Sequence, residues 1–188
     1  MRVRARQASV VSMDDVSLPE VRRLLAAAIT ARRQRDTSGS AARSDGRRAE
    51  RQLDALFGTS HTLAVYGTLA PGRPNHHVVA RLGGEWTDGL IEGDLLPLGW
   101  GAALGYPGFR PRVGGDAVAV RVLTAPSLAT AWPALDRFEG PGYRRILVPV
   151  FGTEMGSGQV GERQLHTVAN LYSPTEAQRG ESDVSQDS

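Results

Sequence analysis

The chain has 188 residues, 40% of them hydrophobic, and a formal net charge of +2. It contains no cysteine, which excludes disulfides, thiolate nucleophiles and cysteine-based metal clusters. All 22 basic residues are arginines, so the sequence also lacks the lysine of Schiff-base enzymes and of P-loop phosphate sites. The length suggests one domain with appendages.

No apolar run approaches the roughly 18 residues needed to span a membrane. Three of the first six residues are arginines, but the apolar segment of a secretory signal does not follow them before Asp14. We therefore expect a cytoplasmic protein without a membrane partner.

Charge is unevenly distributed along the chain. Residues 1–57 hold 12 arginines and 7 acidic residues, a balance of +5, whereas residues 58–188 hold 10 arginines and 13 acidic residues, a balance of −3. The basic segment could bind nucleic acid or an acidic partner, or it could be a solvated helix and linker. No aromatic residue interleaves these arginines for base stacking, so we do not expect nucleic-acid binding.

The first 57 residues are predicted to form a basic helical extension. Ser17 and Glu20 have the spacing of a capping box, and an apolar stripe at helical intervals predicts a helix over residues 18–35. Residues 36–46 are small and polar and predict a flexible linker, and a second helix is predicted over residues 47–56. The stripe of the first helix comprises Val21, Leu24, Leu25, Ala28 and Ile29.

From residue 58 to residue 172, short apolar runs alternate with Gly and Pro, which predicts an α+β domain built on a small, mostly antiparallel sheet or barrel. Helices are predicted over residues 75–82 and 127–138, the second broken at Pro133 because proline disrupts a helix interior. Residues 173–188 are polar and predict a disordered tail. The five predicted strands are Thr62–Tyr66, Gly89–Leu95, Ala117–Leu123, Arg144–Phe151 and Leu165–Tyr172.

Two segments of this domain carry the residue types of a catalytic site. The first, Tyr66-Gly67-Thr68-Leu69, directly follows an apolar strand. A sharp turn at Gly67 would leave successive backbone N–H groups free to bind a carboxylate or an oxyanion. An ordinary strand-to-loop turn is the alternative interpretation.

The second segment is centred on Glu139, at the end of a predicted helix. If that helix forms, Leu135 and Phe138 face the core, and a carboxylate beside them is desolvated, which raises its pKa above about 4.3. Such a group can accept and return a proton near neutral pH. The alternative is an ordinary ion pair of Glu139 with Arg144 or Arg145.

Together the two segments resemble the gamma-glutamyl cyclotransferase-like family, in particular its small bacterial members. Tyr66-Gly67-Thr68-Leu69 ends a first strand, and Glu139-Gly140 precedes Tyr143-Arg144-Arg145 at the start of another. The resemblance covers residues 61–172. Further segments similar to that family are Asn75-His76-His77, Gly93-Asp94-Leu95 and Gly105-Tyr106-Pro107-Gly108.

The resemblance implies a small mixed barrel with a pocket at one end. It also implies cleavage of an L-gamma-glutamyl amide into 5-oxoproline and a free amine, with no metal and no cofactor. Tyr66-Gly67-Thr68-Leu69 would bind the gamma-glutamyl part of a small amine or peptide substrate, and Glu139 would be the general acid/base. Tyr143 could hydrogen-bond Glu139 or the substrate, or it could be an ordinary half-buried tyrosine. The substrate's own α-amine would attack the γ-carbonyl, which requires no protein nucleophile.

Two other functions fit the same sequence. The domain could be a catalytically silent adaptor that acts through its arginine-rich N-terminal helices, although Glu139 beside an intact Tyr-Gly-Thr-Leu turn argues against this. It could also be an enzyme of the same fold that acts on a different amide.

The adjacent His76 and His77 diverge by about 100° on a helix and are not expected to bind one metal. Trp100 and Tyr106 could line a site for the amine.

Overall fold

The structure is a computed structural model that describes residues 17–33, 40–97, 107–153 and 163–175. A 3₁₀ turn over Thr59–His61 leads into the first strand. The helices in the described residues are α1 (Leu18–Arg33), α2 (Ser40–Phe57), α3 (His77–Ala80) and α4 (Leu128–Glu139). The strands are β1 (Thr62–Val65), β2 (Glu85–Leu96), β3 (Gly108–Pro111), β4 (Asp116–Thr124), β5 (Tyr143–Phe151) and β6 (Leu165–Pro174).

Five of these six strands close into a barrel. The sheet runs in the order β3-β2-β4-β1-β6-β5, and pairing of Leu90 on β2 with Phe151 on β5 closes it. Strands β1 and β6 are parallel, and the other pairings of the described strands are antiparallel. The predicted α+β fold with a small, mostly antiparallel five-stranded barrel is confirmed. The prediction lacks the short strand β3, which pairs with the last four residues of β2.

Strands β1, β5 and β6 are largely buried on both faces, because their side chains alternate between the barrel interior and a covering layer of helices. Strands β2 and β4 expose several residues to solvent. On β1, Ala64 belongs to the interior cluster, whereas Leu63 and Val65 pack with residues of α3 and α4. On β5, Val148 belongs to the interior cluster and Leu147 contacts the N-terminal helices. Strands β1 and β5 therefore contain continuous apolar runs, and helices cover two outer faces of the barrel.

Helices α1 and α2 pack against each other and onto the outside of β5 and β6. The apolar stripe predicted for α1, except for Ile29, packs against Leu53 of α2 and against Leu147 and Val168 of the barrel. The N-terminal helices and the barrel thus share one apolar cluster. The most deeply buried members of the α1 stripe are Val21, Leu25 and Ala28.

The predicted linker over residues 36–46 is wrong for residues 40–46, which form the first part of α2. Gly46 lies in the contact with α1, where a Cβ atom on residue 46 would be 2.0 Å from the Cβ of Ala31. The two helices can approach this closely only because residue 46 has no side chain. Helix packing here outweighs the low helix propensity of Gly and Ser that suggests a linker.

Helix α4 is continuous, so the predicted break at Pro133 is wrong. Pro133 is exposed and removes one backbone N–H, while Trp132 and Leu135 on either side of it are buried. Burial of these two large side chains offsets the lost hydrogen bond.

The ends of two other elements also differ from prediction. Helix α3 covers only His77–Ala80, and β6 continues to Pro174, two residues into the predicted tail. Ser173 is buried there and donates a hydrogen bond to the carbonyl of Phe109 at 2.8 Å. Residues 176–188 lie outside the described residues. None of the described helices is both long and apolar enough to span a bilayer.

Candidate active site

The turn after β1 is held in place through its carbonyl groups. The amide of Asn75 donates to the carbonyl of Thr68 at 3.0 Å, and Nδ1 of His76 lies 3.1 Å from the carbonyl oxygen of Leu69. In the described part of the chain, the backbone amides of Gly67, Thr68 and Leu69 have no hydrogen-bond acceptor. Three successive amides are therefore available to an anionic group, as an oxyanion-binding turn requires.

Gly67 does not adopt the left-handed conformation that a sharp turn at this residue would suggest. Gly72, five residues later, has a positive φ of 76°, whereas Gly67 is not among the described glycines with a positive φ. The chain therefore leaves β1 with ordinary backbone angles and uses a left-handed glycine five residues later.

Glu139 is the last residue of α4 and lies on the buried face of that helix. Leu128, Trp132 and Leu135 precede it by 11, 7 and 4 residues, which places all four side chains on one side of the helix. Burial raises the pKa of the Glu139 carboxyl from 4.5 to about 7. Both of its protonation states are therefore populated near neutral pH, which suits a group that accepts and returns a proton. Gly140, with φ of 77°, ends the helix directly after it.

The predicted core contact of Phe138 is wrong, because this side chain is 37% exposed. Phe138 follows Leu128 by ten residues, and at 100° per residue it points about 80° away from the buried stripe. Glu139, rather than Phe138, continues the buried stripe of α4. The apolar surroundings of the carboxyl group therefore come from the opposite wall of the pocket and from the buried face of α4.

Arg145, one of the two predicted ion-pair partners of Glu139, is engaged elsewhere. It donates to both carboxylate oxygens of Asp136, from Nε to Oδ1 at 3.1 Å and from Nη2 to Oδ2 at 3.2 Å. Its guanidinium also lies 4.3 Å from the ring centre of Trp132. Among the described residues, Glu139 takes part in no ion pair. The contacts therefore do not support the interpretation of Glu139 as half of a surface ion pair.

Tyr66, Tyr143 and Tyr172 line the pocket that holds this carboxyl group. The hydroxyl of Tyr66 accepts a hydrogen bond from the backbone amide of Phe109, and burial, with a smaller contribution from Tyr143, raises the Tyr66 pKa well above its usual range. The hydroxyl of Tyr172 donates to Asp136 at 2.7 Å, and burial also raises its pKa. Both hydroxyls are therefore protonated at neutral pH and serve as hydrogen-bonding groups.

The six site residues predicted from the sequence line one pocket. It lies where β1 and β6 end and β5 begins, which is one end of the barrel because β1 is parallel and β5 antiparallel to β6. Its cavity volume is about 60 Å³, space for roughly five water-sized groups, which suits a small acyl chain. The lining residues are Ala64, Val65, Tyr66, Gly67, Thr68, Leu69, Pro107, Glu139, Tyr143, Leu171 and Tyr172.

Tyr172 is the main lining residue that sequence reasoning misses. The sequence does place a tyrosine at the end of the predicted strand Leu165–Tyr172, where a pocket residue could be expected. However, only the parallel pairing of β6 with β1 brings Tyr172 close to the turn after β1. Trp100 and Tyr106, predicted candidates for an amine site, lie outside the described residues. The described residues contain no group of three or more His, Asp or Glu side chains that could hold a metal ion.

The fold and pocket define a small barrel protein with one near-neutral carboxyl group and an amide-rich turn at the barrel end. The chain belongs to the gamma-glutamyl cyclotransferase, AIG2-like family, whose model matches residues 63–185. The resemblance found in the sequence is therefore confirmed.

Solved structures similar to this chain include the following two. An AIG2-like protein from Mus musculus has 22% identity and a TM-score of 0.45, with 61% of this chain and 77% of that chain covered. YkqA from Bacillus subtilis has 19% identity and a TM-score of 0.41, with 68% of this chain but only 43% of that chain covered. No curated protein sequence matches this chain significantly.

Proposed function

We propose that this chain is a gamma-glutamyl cyclotransferase that converts an L-gamma-glutamyl amide into 5-oxoproline and a free amine. The observation that carries this proposal is that one pocket holds both a carboxyl group with a pKa of about 7 and a turn with three available backbone amides. Membership of the gamma-glutamyl cyclotransferase family supports the same class of reaction.

In this proposal the pocket binds the gamma-glutamyl chain with its γ-carbonyl at the turn. The amides of Gly67, Thr68 and Leu69 donate hydrogen bonds to the carbonyl oxygen as it gains negative charge. The hydroxyls of Tyr66 and Tyr143 hold the polar end of the glutamyl group. The small volume of the pocket favours a folded substrate, in which the α-nitrogen lies near the γ-carbon.

Glu139 is the general acid/base in this reaction. Its carboxylate removes a proton from the substrate's α-ammonium group, and the freed nitrogen attacks the γ-carbonyl to form the new C–N bond. When the tetrahedral intermediate collapses, the old C–N bond breaks and Glu139 returns the proton to the leaving nitrogen. The second proton lost from the α-nitrogen passes to solvent or to the freed amine.

The substrate supplies its own nucleophile in this mechanism. Closure of a five-membered ring has a high effective molarity once the reacting atoms are held in place. The chain has neither cysteine nor lysine, and the proposed reaction requires neither of them. We propose that it also requires no metal and no cofactor, so a chelator should leave turnover unchanged.

The proposal is tested by incubating the protein with a panel of gamma-glutamyl amides and detecting 5-oxoproline by mass spectrometry. The Glu139→Gln variant, purified in the same way, controls for contaminating activity. Production of 5-oxoproline by the wild-type chain alone would support the proposal. If the panel includes amino acid, peptide and polyamine amides and none is turned over, the proposed reaction is wrong and an adaptor function becomes the better explanation.

A further inference from the structure

A second and much wider cavity lies between the N-terminal helices and the barrel. It is bounded by α2 on one side and by α4 and the start of β5 on the other, and its volume is about 750 Å³. Cavities of a few hundred to a thousand Å³ are typical of small-molecule sites. We call this cavity the arginine cleft, because five arginines line it: Arg32, Arg47, Arg51, Arg144 and Arg145.

Two of these arginines are already used within the fold. Arg32 pairs with Glu50 and donates to the carbonyl of Arg145 at 3.2 Å, while Arg145 is held by both oxygens of Asp136. Their charges are therefore neutralised locally, and their side chains form part of a fixed wall.

The other three arginines of the cleft have no such partner. Arg47 and Arg51 stand one helical turn apart on α2, and Arg144 stands across the cleft on β5. All three are exposed, and no hydrogen bond or ion pair to their guanidinium groups occurs within the described ranges. Asp54, which also lines the cleft, accepts instead from the backbone amide of Ser60 at 2.6 Å. Three guanidinium groups therefore face the cleft with their donors unused by the protein.

The arginine cleft meets the pocket of Glu139 at a shared wall. Tyr143 and Tyr172 line both cavities. Helix α4 also contributes residues to both cavities, since Glu139 lines the pocket and Asp136, less than one turn earlier, lines the cleft. The cleft and the pocket are therefore adjacent, with Tyr143 and Tyr172 between them.

We propose that the arginine cleft is the subsite for the amine part of the substrate, and that this part carries at least one carboxylate, as in a gamma-glutamyl amino acid or peptide. This inference rests on the proposed function. A guanidinium group offers a planar fork of donors that matches the two oxygens of a carboxylate. Arg47 and Arg51 line the cleft from α2 and Arg144 lines it from β5, so guanidinium donors are available to a carboxylate from two sides.

The lining of the cleft also selects against larger anions. Five arginines face three acidic residues there, a formal balance of +2, which matches one or two carboxylates better than a polyphosphate. Trp132 offers no open face for a nucleobase, because it is 7% exposed, its ring lies against Arg145 and its indole N–H donates to the carbonyl of Ser60 at 2.9 Å. Stacking on exposed aromatic rings is the usual basis of single-stranded nucleic-acid binding.

The test compares each gamma-glutamyl amino acid with its own C-terminal amide, which has the same shape but no negative charge. Alanine, phenylalanine and alanylglycine would serve as the amine parts. We expect the wild-type chain to prefer each acid over its amide by about tenfold in kcat/KM, mainly through KM, as charge-assisted hydrogen bonds would give. The triple variant Arg47→Gln, Arg51→Gln, Arg144→Gln should lower kcat/KM for the acid towards that of the amide. Arg81→Gln, an exposed arginine outside both cavities, should preserve the preference.

A binding measurement separates failure of this inference from failure of the proposed function. Isothermal titration of the Glu139→Gln variant with the same acid and amide pairs reports affinity without turnover. Tighter binding of the acids, abolished by the triple arginine substitution, would support the subsite even if no 5-oxoproline is ever formed. Equal affinity for acid and amide, or equal loss for both in the triple variant, would overturn it.

Discussion

The two cavities of this molecule hold charge in opposite ways. The pocket at the barrel end is small, Glu139 is the one carboxyl group among its described lining residues, and burial raises the pKa of that group to about 7. The arginine cleft is more than ten times larger and keeps Arg47, Arg51 and Arg144 exposed. A proton-transfer group benefits from desolvation because its two states become close in free energy, whereas a recognition group must stay charged. The difference suggests that chemistry and recognition occupy separate cavities on either side of Tyr143 and Tyr172.

The strongest test of this comparison is Glu139→Gln. Glutamine keeps the shape of the side chain but cannot exchange a proton, so we expect kcat to fall by at least about a hundredfold while substrate affinity changes little. Steady-state kinetics and isothermal titration measure the two quantities. Glu85→Gln, an exposed glutamate on β2, is the matched control and should behave as wild type. Activity of Glu139→Gln within a few-fold of wild type would remove this residue from the proposed chemistry.

The pH dependence of activity sharpens the comparison further. Only the ionised form of Glu139 can take a proton, and its pKa is about 7. We therefore expect kcat/KM to rise about tenfold per pH unit below that value and to level off above it. A pH–rate profile between pH 4 and pH 9 measures this. A rising limb centred near pH 4.5 would mean that the carboxyl group is not desolvated in the working enzyme.

Stability should depend on pH in the opposite direction. The carboxyl pKa is higher in the folded state, about 7, than its ordinary 4.5, so the folded state binds more protons between these values. The free energy of unfolding therefore falls as pH rises from about 4.5 to about 7, by at most about 3 kcal/mol. Denaturant unfolding of wild type and Glu139→Gln across this range checks the sign. The variant should lack this fall, and parallel curves for the two proteins would contradict the prediction.

A substitution in the N-terminal helices tests whether that region acts only through stability and recognition. Leu53 is fully buried between α1, α2 and the barrel, so Leu53→Ala should lower the free energy of unfolding by about 2–5 kcal/mol. Because both segments that we propose to form the catalytic site lie beyond residue 57, we predict that kcat of the folded variant changes less than twofold. Chemical unfolding and kinetics at a temperature where the variant is folded measure both. A large loss of kcat would make the helices part of the active site.

The smallest expected effect belongs to the wall between the two cavities. Tyr172→Phe removes the hydroxyl that donates to Asp136 at 2.7 Å. We expect a loss of about 1–2 kcal/mol in stability and a less than tenfold loss in kcat, because the ring still fills the wall. Thermal unfolding and kinetics on one acid and amide pair provide the measurement. A loss as large as that of Glu139→Gln would assign the Tyr172 hydroxyl to the chemistry.

Local patterns were enough to predict the barrel strands and the site motifs. Strand and turn signals are short-range, so the five barrel strands were found within a few residues of their observed ends. The two segments around Tyr66 and Glu139 are contiguous, and their residues line one pocket as expected. The errors at residues 40–46 and at Pro133 share one cause: helix packing outweighed the local propensity of Gly, Ser and Pro.

The sequence by itself determined the chemistry that is possible here: no thiol, no lysine, and one glutamate placed after an apolar helical stripe. The tertiary structure alone decided which residues meet. Tyr172 reaches the pocket because β6 pairs in parallel with β1, and Arg144 faces Arg47 and Arg51 because Gly46 lets α2 pack closely on α1 beside β5. Such contacts depend on groups far apart in the chain, and they form only because burying the shared apolar faces outweighs the entropy lost on folding.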